Sequence, residues 1–243
     1  MGKGIFGFFD KPTLEGHQLL VGKYHDGNVR CEYILQNEEK VFDGPFSYEY
    51  KYGSLFSDKG YERADGTFNM NRKQGHWKME YHSKQRDRVL VVNFEKGRVE
   101  GEVDYRCAER DYMGRTTSTA AIFSMHNGRV VGEVHGMLRG KKFKGSCDDN
   151  GCPDGEWKIE ATSEDNTLSH IDCEMWSHGK LLSSYSEMTQ KKTKSNLHPY
   201  LLKTFSELIN GDLLDMLFMV RRGTHINSID LVFEKNAMMI FPF

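Results

Sequence analysis

The chain has 243 residues, 38% of them hydrophobic and 28% charged, so it carries enough apolar material for one large domain or two small ones and falls outside the disordered class. Its 33 basic and 35 acidic residues give a formal net charge of −2 and are scattered along the whole length, which excludes a broad electrostatic footprint for nucleic acid. The five cysteines, Cys31, Cys107, Cys147, Cys152 and Cys173, are odd in number and widely spread, which fits reduced thiols and a cytoplasmic location better than a disulfide framework.

The chain opens MGKGIFGFFDKPT. Its apolar run is too short for a signal-peptide core, and no later segment reaches the length needed to cross a bilayer, so no transmembrane segment is expected. The wedge of Ile5, Phe6, Phe8 and Phe9 reads as packing over a sheet edge, because as a membrane contact one short wedge is weak.

From Tyr24 two short motifs alternate. The first is an apolar residue, two polar ones, a glycine, a polar or basic residue and another apolar: YHDGNV at Tyr24, FEKGRV at Phe94, MHNGRV at Met125 and WSHGKL at Trp176. A glycine at that place supplies the positive φ of a tight turn, so each copy reads as a hairpin tip. The second motif is a glycine, any residue, then a large apolar residue that begins a strict alternation: GPFSYEY from Gly44, GHWKMEY from Gly75, GEVDYRC from Gly101 and GEWKIEA from Gly155. Phe46, Tyr48 and Tyr50 would share one face, as would Trp77, Met79 and Tyr81, and Trp157, Ile159 and Ala161, while Ser47, Glu49, Lys78, Glu80, Lys158 and Glu160 point the other way. The glycines Gly44, Gly75, Gly101, Gly132 and Gly155 follow one another at intervals of 31, 26, 31 and 23. The repeating unit is therefore one hairpin, each pairing mainly with its sequence neighbours.

Over roughly Tyr24 to Tyr185 this alternation of turn signals and G-x-W steps resembles the MORN-repeat variant found in many bacterial proteins, some of them described as antitoxin components of toxin–antitoxin systems. The interval varies, and Val103 and Val134 stand where the family has an aromatic. The resemblance implies an elongated, twisted antiparallel sheet with a binding or scaffolding role, and it supplies no catalytic residues.

After TQKKTKSN (Thr189 to Asn196) the period changes from two to 3.6. Leu201, Leu202, Phe205, Leu208 and Ile209 fall on one helical stripe that Asn210-Gly211 would stop, and a second helix would carry Leu213, Leu214, Leu217 and Phe218 and close at Arg221, Arg222 and Gly223. SIDLVFEKNAMMIFPF reads as a final hairpin. A one-layer sheet leaves its greasy face open, so the expected fold is mainly β: repeated hairpins over residues 1–190, with the helical pair and last hairpin of residues 191–243 packed on that face.

Sites of chemistry are scarce. The best metal candidate is CDDNGC, Cys147 to Cys152, with His170, Cys173 and His178 downstream. Its spacing is not that of a zinc site, and if Ile171, Cys173 and Met175 form the buried face of a strand, His170 points away from Cys173. A hairpin turn accounts for the same residues, so no metal or other cofactor is expected. Phosphate-loop, zinc-protease and serine-nucleophile motifs are missing, and GRTTSTA at Gly114 reads as a polar loop or edge strand. His76, His82, His126 and His135 are spread over turns and solvent faces. No catalytic residue is nominated. The leading expectation is a non-enzymatic interaction or scaffolding protein, antitoxin-like by resemblance, that uses a charged face or sheet edge to bind another protein. The alternatives are a small-molecule or lipid binder with a groove between sheet and helices, and a hydrolase whose site has no sequence signature.

Overall fold

The computed structural model describes residues 14–24, 27–53, 59–162, 169–188 and 191–194, together with Phe205 and Met216. They form a fourteen-stranded antiparallel sheet whose spatial order is the sequence order. The strands are β1 (Gln18–Tyr24), β2 (Gly27–Gln36), β3 (Glu39–Tyr52), β4 (Gly60–Asn69), β5 (Arg72–His82), β6 (Arg86–Glu95), β7 (Arg98–Arg110), β8 (Thr116–His126), β9 (Arg129–Leu138), β10 (Lys141–Cys147), β11 (Gly155–Thr162), β12 (Ser169–Ser177), β13 (Lys180–Met188) and β14 (Lys191–Lys194). The sheet is thus a continuous meander of hairpins.

Among the described residues six connections are two-residue turns with positive φ at both positions: Asn37-Glu38, Met70-Asn71, Lys96-Gly97, Asn127-Gly128, Arg139-Gly140 and His178-Gly179. A type I′ turn requires that pair of angles, and its twist suits the flanking strands. Gly97, Gly128 and Gly179 stand where the turn motif puts them. Asn37-Glu38 and Met70-Asn71 make the same turn without glycine, and the motif does not signal them.

The second family of glycines stands elsewhere than the motif implies. Gly44, Gly75, Gly101 and Gly132 do not begin strands; they sit inside β3, β5, β7 and β9 with positive φ. At each the register shifts: Cys31 pairs with Phe46 but Tyr33 with Phe42, Asp65 with Lys78 but Thr67 with Gln74, Val92 with Val103 but Phe94 with Val99, and Phe123 with Val134 but Ser124 with Val131. The glycine-bearing strand therefore carries two extra residues at every shift. An even excess preserves the alternation of faces, so Phe42 and Phe46, or Val99 and Val103, flank their bulge and are buried on the same face of the sheet. Only Gly155 heads its strand as expected.

Cross-strand partners trace the buried face. One row runs Trp77, Val92, Val103, Phe123, Val134 and Gly145 across β5 to β10, and the next runs Val29, Tyr48, Ala64, Met79, Leu90, Tyr105, Ala121, Gly136, Phe143 and Ile159 from β2 to β11. Apart from the two glycines these residues are buried in one cluster, which Trp157 joins. Trp77 and Trp157 share a structural device. A Cβ on Gly66 would stand 2.1 Å from Trp77 Cδ2, and one on Gly145 2.3 Å from Trp157 Cδ2, so each indole lies directly on a glycine of the preceding strand. Each ring N–H then donates to the carbonyl that follows that glycine, Thr67 at 3.1 Å and Ser146 at 2.9 Å.

The opposite face pairs its own charges. Within single strands Lys51 meets Glu49, Arg63 meets Asp65, Lys78 meets Glu80, Arg106 meets Asp104 and Lys158 meets Glu160. Across strands Arg63 lies opposite Glu80, and Asp65 opposite Lys78. β12 departs from the expected faces. Ile171, Cys173 and Met175 do share a side, but it is the outer one, since Cys173 pairs with Lys158 while Glu174 pairs with Trp157. Glu174 is accordingly 1% exposed on the core face and accepts the Trp176 indole N–H at 3.1 Å. GRTTSTA leads from a turn into β8, which is an interior strand between β7 and β9 rather than an edge.

At the end of the chain Phe205 and Met216 are helical and buried. The Phe205 ring lies 6.0 Å from Phe123, 5.6 Å from Phe143 and 5.4 Å from Trp157. The remainder of the expected helical pair, the final hairpin, the N-terminal wedge and the His25-Asp26 turn lie outside the described residues. Among the described residues no helix is long and apolar enough to cross a membrane.

Candidate functional site: an arginine-lined depression beside a locked turn

Followed outward from the tryptophan row, the core face becomes polar. The third row reads Tyr50, Glu62, Tyr81, Arg88, Cys107 and Thr119. In the fourth, Arg86 lies opposite Glu109 and Glu109 opposite Thr117. Here a depression of about 470 Å³ opens at the end of β5 to β8. Arg88 is 6% exposed, and its guanidinium carbon stands 4.6 Å from the Tyr81 ring centroid, a cation–π contact. Arg86 pairs with Glu109, and Arg110 with Asp87, which also meets His82. Behind Tyr81 lie further rings: Tyr52 at 6.4 Å, which in turn lies tilted against Tyr50 at 5.7 Å.

Two turns frame the depression. Between β5 and β6, Ser83 N–H donates to Arg86 O at 2.8 Å, and the Ser83 hydroxyl both donates to that carbonyl and accepts from Arg86 N–H. Between β7 and β8, Asp111 organises the whole turn. Its Oδ1 accepts the N–H groups of Met113 at 2.8 Å and Arg115 at 2.9 Å, and its Oδ2 accepts Arg115 Nε at 2.9 Å. The Arg115 amide first, then the Arg115 side chain and the Met113 amide, hold the Asp111 carboxyl below its ordinary value against the opposing effect of burial. A further bond, Gly114 N–H to Asp111 O at 3.0 Å, closes the turn. On its outside stand Tyr112, 92% exposed, and Met113, 65% exposed.

The metal candidates do not assemble. Asp148 is the hub of the CDDNGC turn, accepting Asn150 N–H and Cys152 N–H at 2.9 Å each and lying 3.0 Å from His178 Nδ1. Burial pushes the Cys147 thiol up to about 12, away from the thiolate a metal needs. His170 instead stands 3.0 Å from Asp172 on the core face, opposite in direction to Cys173. Among the described residues no three such side chains group as ligands. Ser186 donates to Asp172 Oδ1, the oxygen that His170 also addresses.

None of the arginines of the depression is singled out by the sequence. The signal was the pair Arg86 and Arg88 at alternate positions of a strand together with Arg110 at the end of the next, legible only once the pairing of β6 with β7 is known. No protein-family model, curated protein or solved structure gives a significant match to the chain.

Proposed function

We propose that the protein is a non-enzymatic interaction module that presents the β7–β8 turn to another protein, the role that the resemblance to MORN-variant repeats also implies, with an antitoxin-like partnership as its narrower form. The observation that carries this reading is a tyrosine held almost fully in water, beside an exposed methionine, by a turn that Asp111 locks from within. A preorganised turn loses little conformational entropy on docking. Tyrosine, methionine and arginine are the residue types that interface centres favour, and Arg86 and Arg110 flank the turn. The outer face is a weaker candidate, because its charges already satisfy one another within and between strands. In the same reading, residues 191–243 complete the fold by covering the buried face, with Phe205 as their anchor.

The test is a photo-crosslinking amino acid placed at position 112 in cells of the source organism, followed by binding measurements on the crosslinked protein. The double variant Tyr112→Ala, Met113→Ala should keep the parent's melting temperature and bind that protein at least about tenfold more weakly. Undiminished binding by the double variant sinks the proposal.

A further inference from the structure

We propose that the β9–β10 hairpin is the binding surface for an acidic protein segment, held through Arg139, Lys141 and Lys142. The inference rests on the docking reading above and names the chemistry of that partner. Residues 112–147 carry six basic residues and a single acidic one, Glu133, in a chain whose net charge is −2. Four of the six, Arg139, Lys141, Lys142 and Lys144, crowd into one hairpin, and all four are exposed. On other strands a basic side chain meets an acid two positions away, as Lys51 meets Glu49, Lys78 meets Glu80 and Lys158 meets Glu160. This hairpin offers no such acid. The positions two away from Lys142 are Gly140 and Lys144, and those two away from Lys141 are Arg139 and Phe143. Lys144 reaches Glu156 at 3.7 Å, and Glu160, across from Lys142, is taken by Lys158. Among the described residues the side chains of Arg139, Lys141 and Lys142 meet no carboxylate.

Like charges set side by side repel, so the cluster is a cost to the fold. Edge protection does not explain it, since β9 and β10 are interior strands with partners on both sides. The tip is held in place. Arg139 and Gly140 form its turn, with φ of 50° and 80°, and Gly140 N–H donates to Ser118 O of β8 at 3.1 Å. Ser118 stands three residues past Arg115, where the locked turn ends, so the cations lie about 10 Å along β8 from that turn. Tyr112 and Met113 are therefore near enough for one partner to engage both. The cationic footprint is a single hairpin, with Glu133, Glu156 and Glu160 as its neighbours. That suits a few carboxylates on a protein, whereas a nucleic-acid backbone or an anionic membrane would carry its charge onto those acids.

The test is an NMR titration of the full chain with a decaglutamate peptide, following the amides of residues 112–119 and 135–144. Saturable shifts centred on the hairpin are expected, with binding weaker at about 200 mM salt than at about 50 mM. The triple variant Arg139→Gln, Lys141→Gln, Lys142→Gln should keep the parent's melting temperature and bind the peptide about fivefold or more weakly. A single-stranded oligonucleotide of the same charge and phosphatidylserine vesicles are run beside the peptide, and tighter binding of either overturns the proposal. So does a peptide response that never saturates, or one that the triple variant keeps. The triple variant is then measured against the protein crosslinked at position 112. Undiminished binding there, with the Tyr112→Ala, Met113→Ala variant impaired, overturns the acidic partner and leaves the docking reading standing. Undiminished binding by the Tyr112→Ala, Met113→Ala variant sinks the docking reading instead, while the peptide titration still decides the hairpin.

Discussion

Trp77 and Trp157 hold equivalent places because each ring rests on a glycine and reaches the next carbonyl, a contact that a single methyl group would break. Adding that methyl as Gly66→Ala or Gly145→Ala pushes an indole out of a filled core, at a cost of about 1–3 kcal/mol. Truncating either tryptophan to alanine leaves a cavity and costs about 3–5 kcal/mol. The two effects share one contact, so Gly66→Ala should cost little in a Trp77→Ala background, and denaturant midpoints of the four chains measure that coupling. Full additivity would mean that Gly66 and Trp77 do not touch. The tryptophans themselves are legible from the G-x-W step and the alternation that follows. Their glycine partners are not, because Gly66 and Gly145 face them from another strand, at separations of 11 and 12 residues that no local period marks.

At the scale of elements, the turn glycines and the bulge glycines look alike in sequence and do different things. Gly128 closes a two-residue turn at φ 77°, where a β-branched side chain is strongly disfavoured. Gly128→Val should lower the melting temperature clearly, while the same change at Gly22, whose Cβ would meet nothing within 4 Å and whose φ is ordinary, should not. A glycine that precedes an alternating run fits a strand start and a bulge equally well in one dimension. Which it is depends on the register of the neighbouring strand, and only Gly155 proves to be a start. The β12–β13 turn has its own pH signature. The nearby Asp148 carboxylate raises His178 above its usual 6.5. His178 in turn holds Asp148 below its usual 3.8, against a smaller effect of burial and helped by the amides of Cys152 and Asn150. The stabilisation from His178 is complete below 6.5 and fades as pH rises through its raised folded value. That from Asp148 is present above 3.8 and fades as pH falls through its depressed value. The clip should therefore be strongest between those limits, and an NMR titration should place the His178 midpoint above 6.5 in the parent and lower in Asp148→Asn, where only the Asp154 charge still raises it. A parent midpoint at or below 6.5 contradicts the clip.

For the whole molecule, the two faces of the sheet have been solved in opposite ways, and that division decides what the rest of the chain must do. The outer face satisfies its charges locally, so it tolerates water without a cover. The inner face holds Trp77, Phe123, Phe143 and Trp157, all buried, although a single sheet has nothing of its own to lay over them. That the face is greasy follows from the period-two pattern alone, and so does the need for a covering element. Which residue meets which does not, because helical stripes specify a face and not a register against aromatic neighbours. Phe205 supplies one such contact, 2% exposed and within 6.0 Å of three rings from β8, β10 and β11. Phe205→Ala should cost about 3–5 kcal/mol by the cavity it leaves. A chain ending at Lys194 should then expose those rings together, bind a hydrophobic dye and associate, since a contiguous apolar patch of that kind rarely survives in water. A truncated chain that is monomeric, cooperative and as heat-stable as the parent would separate the C-terminal residues from the core. In that event Phe205→Ala should also be silent, and the two results together would require a different cover for the row from Trp77 to Trp157.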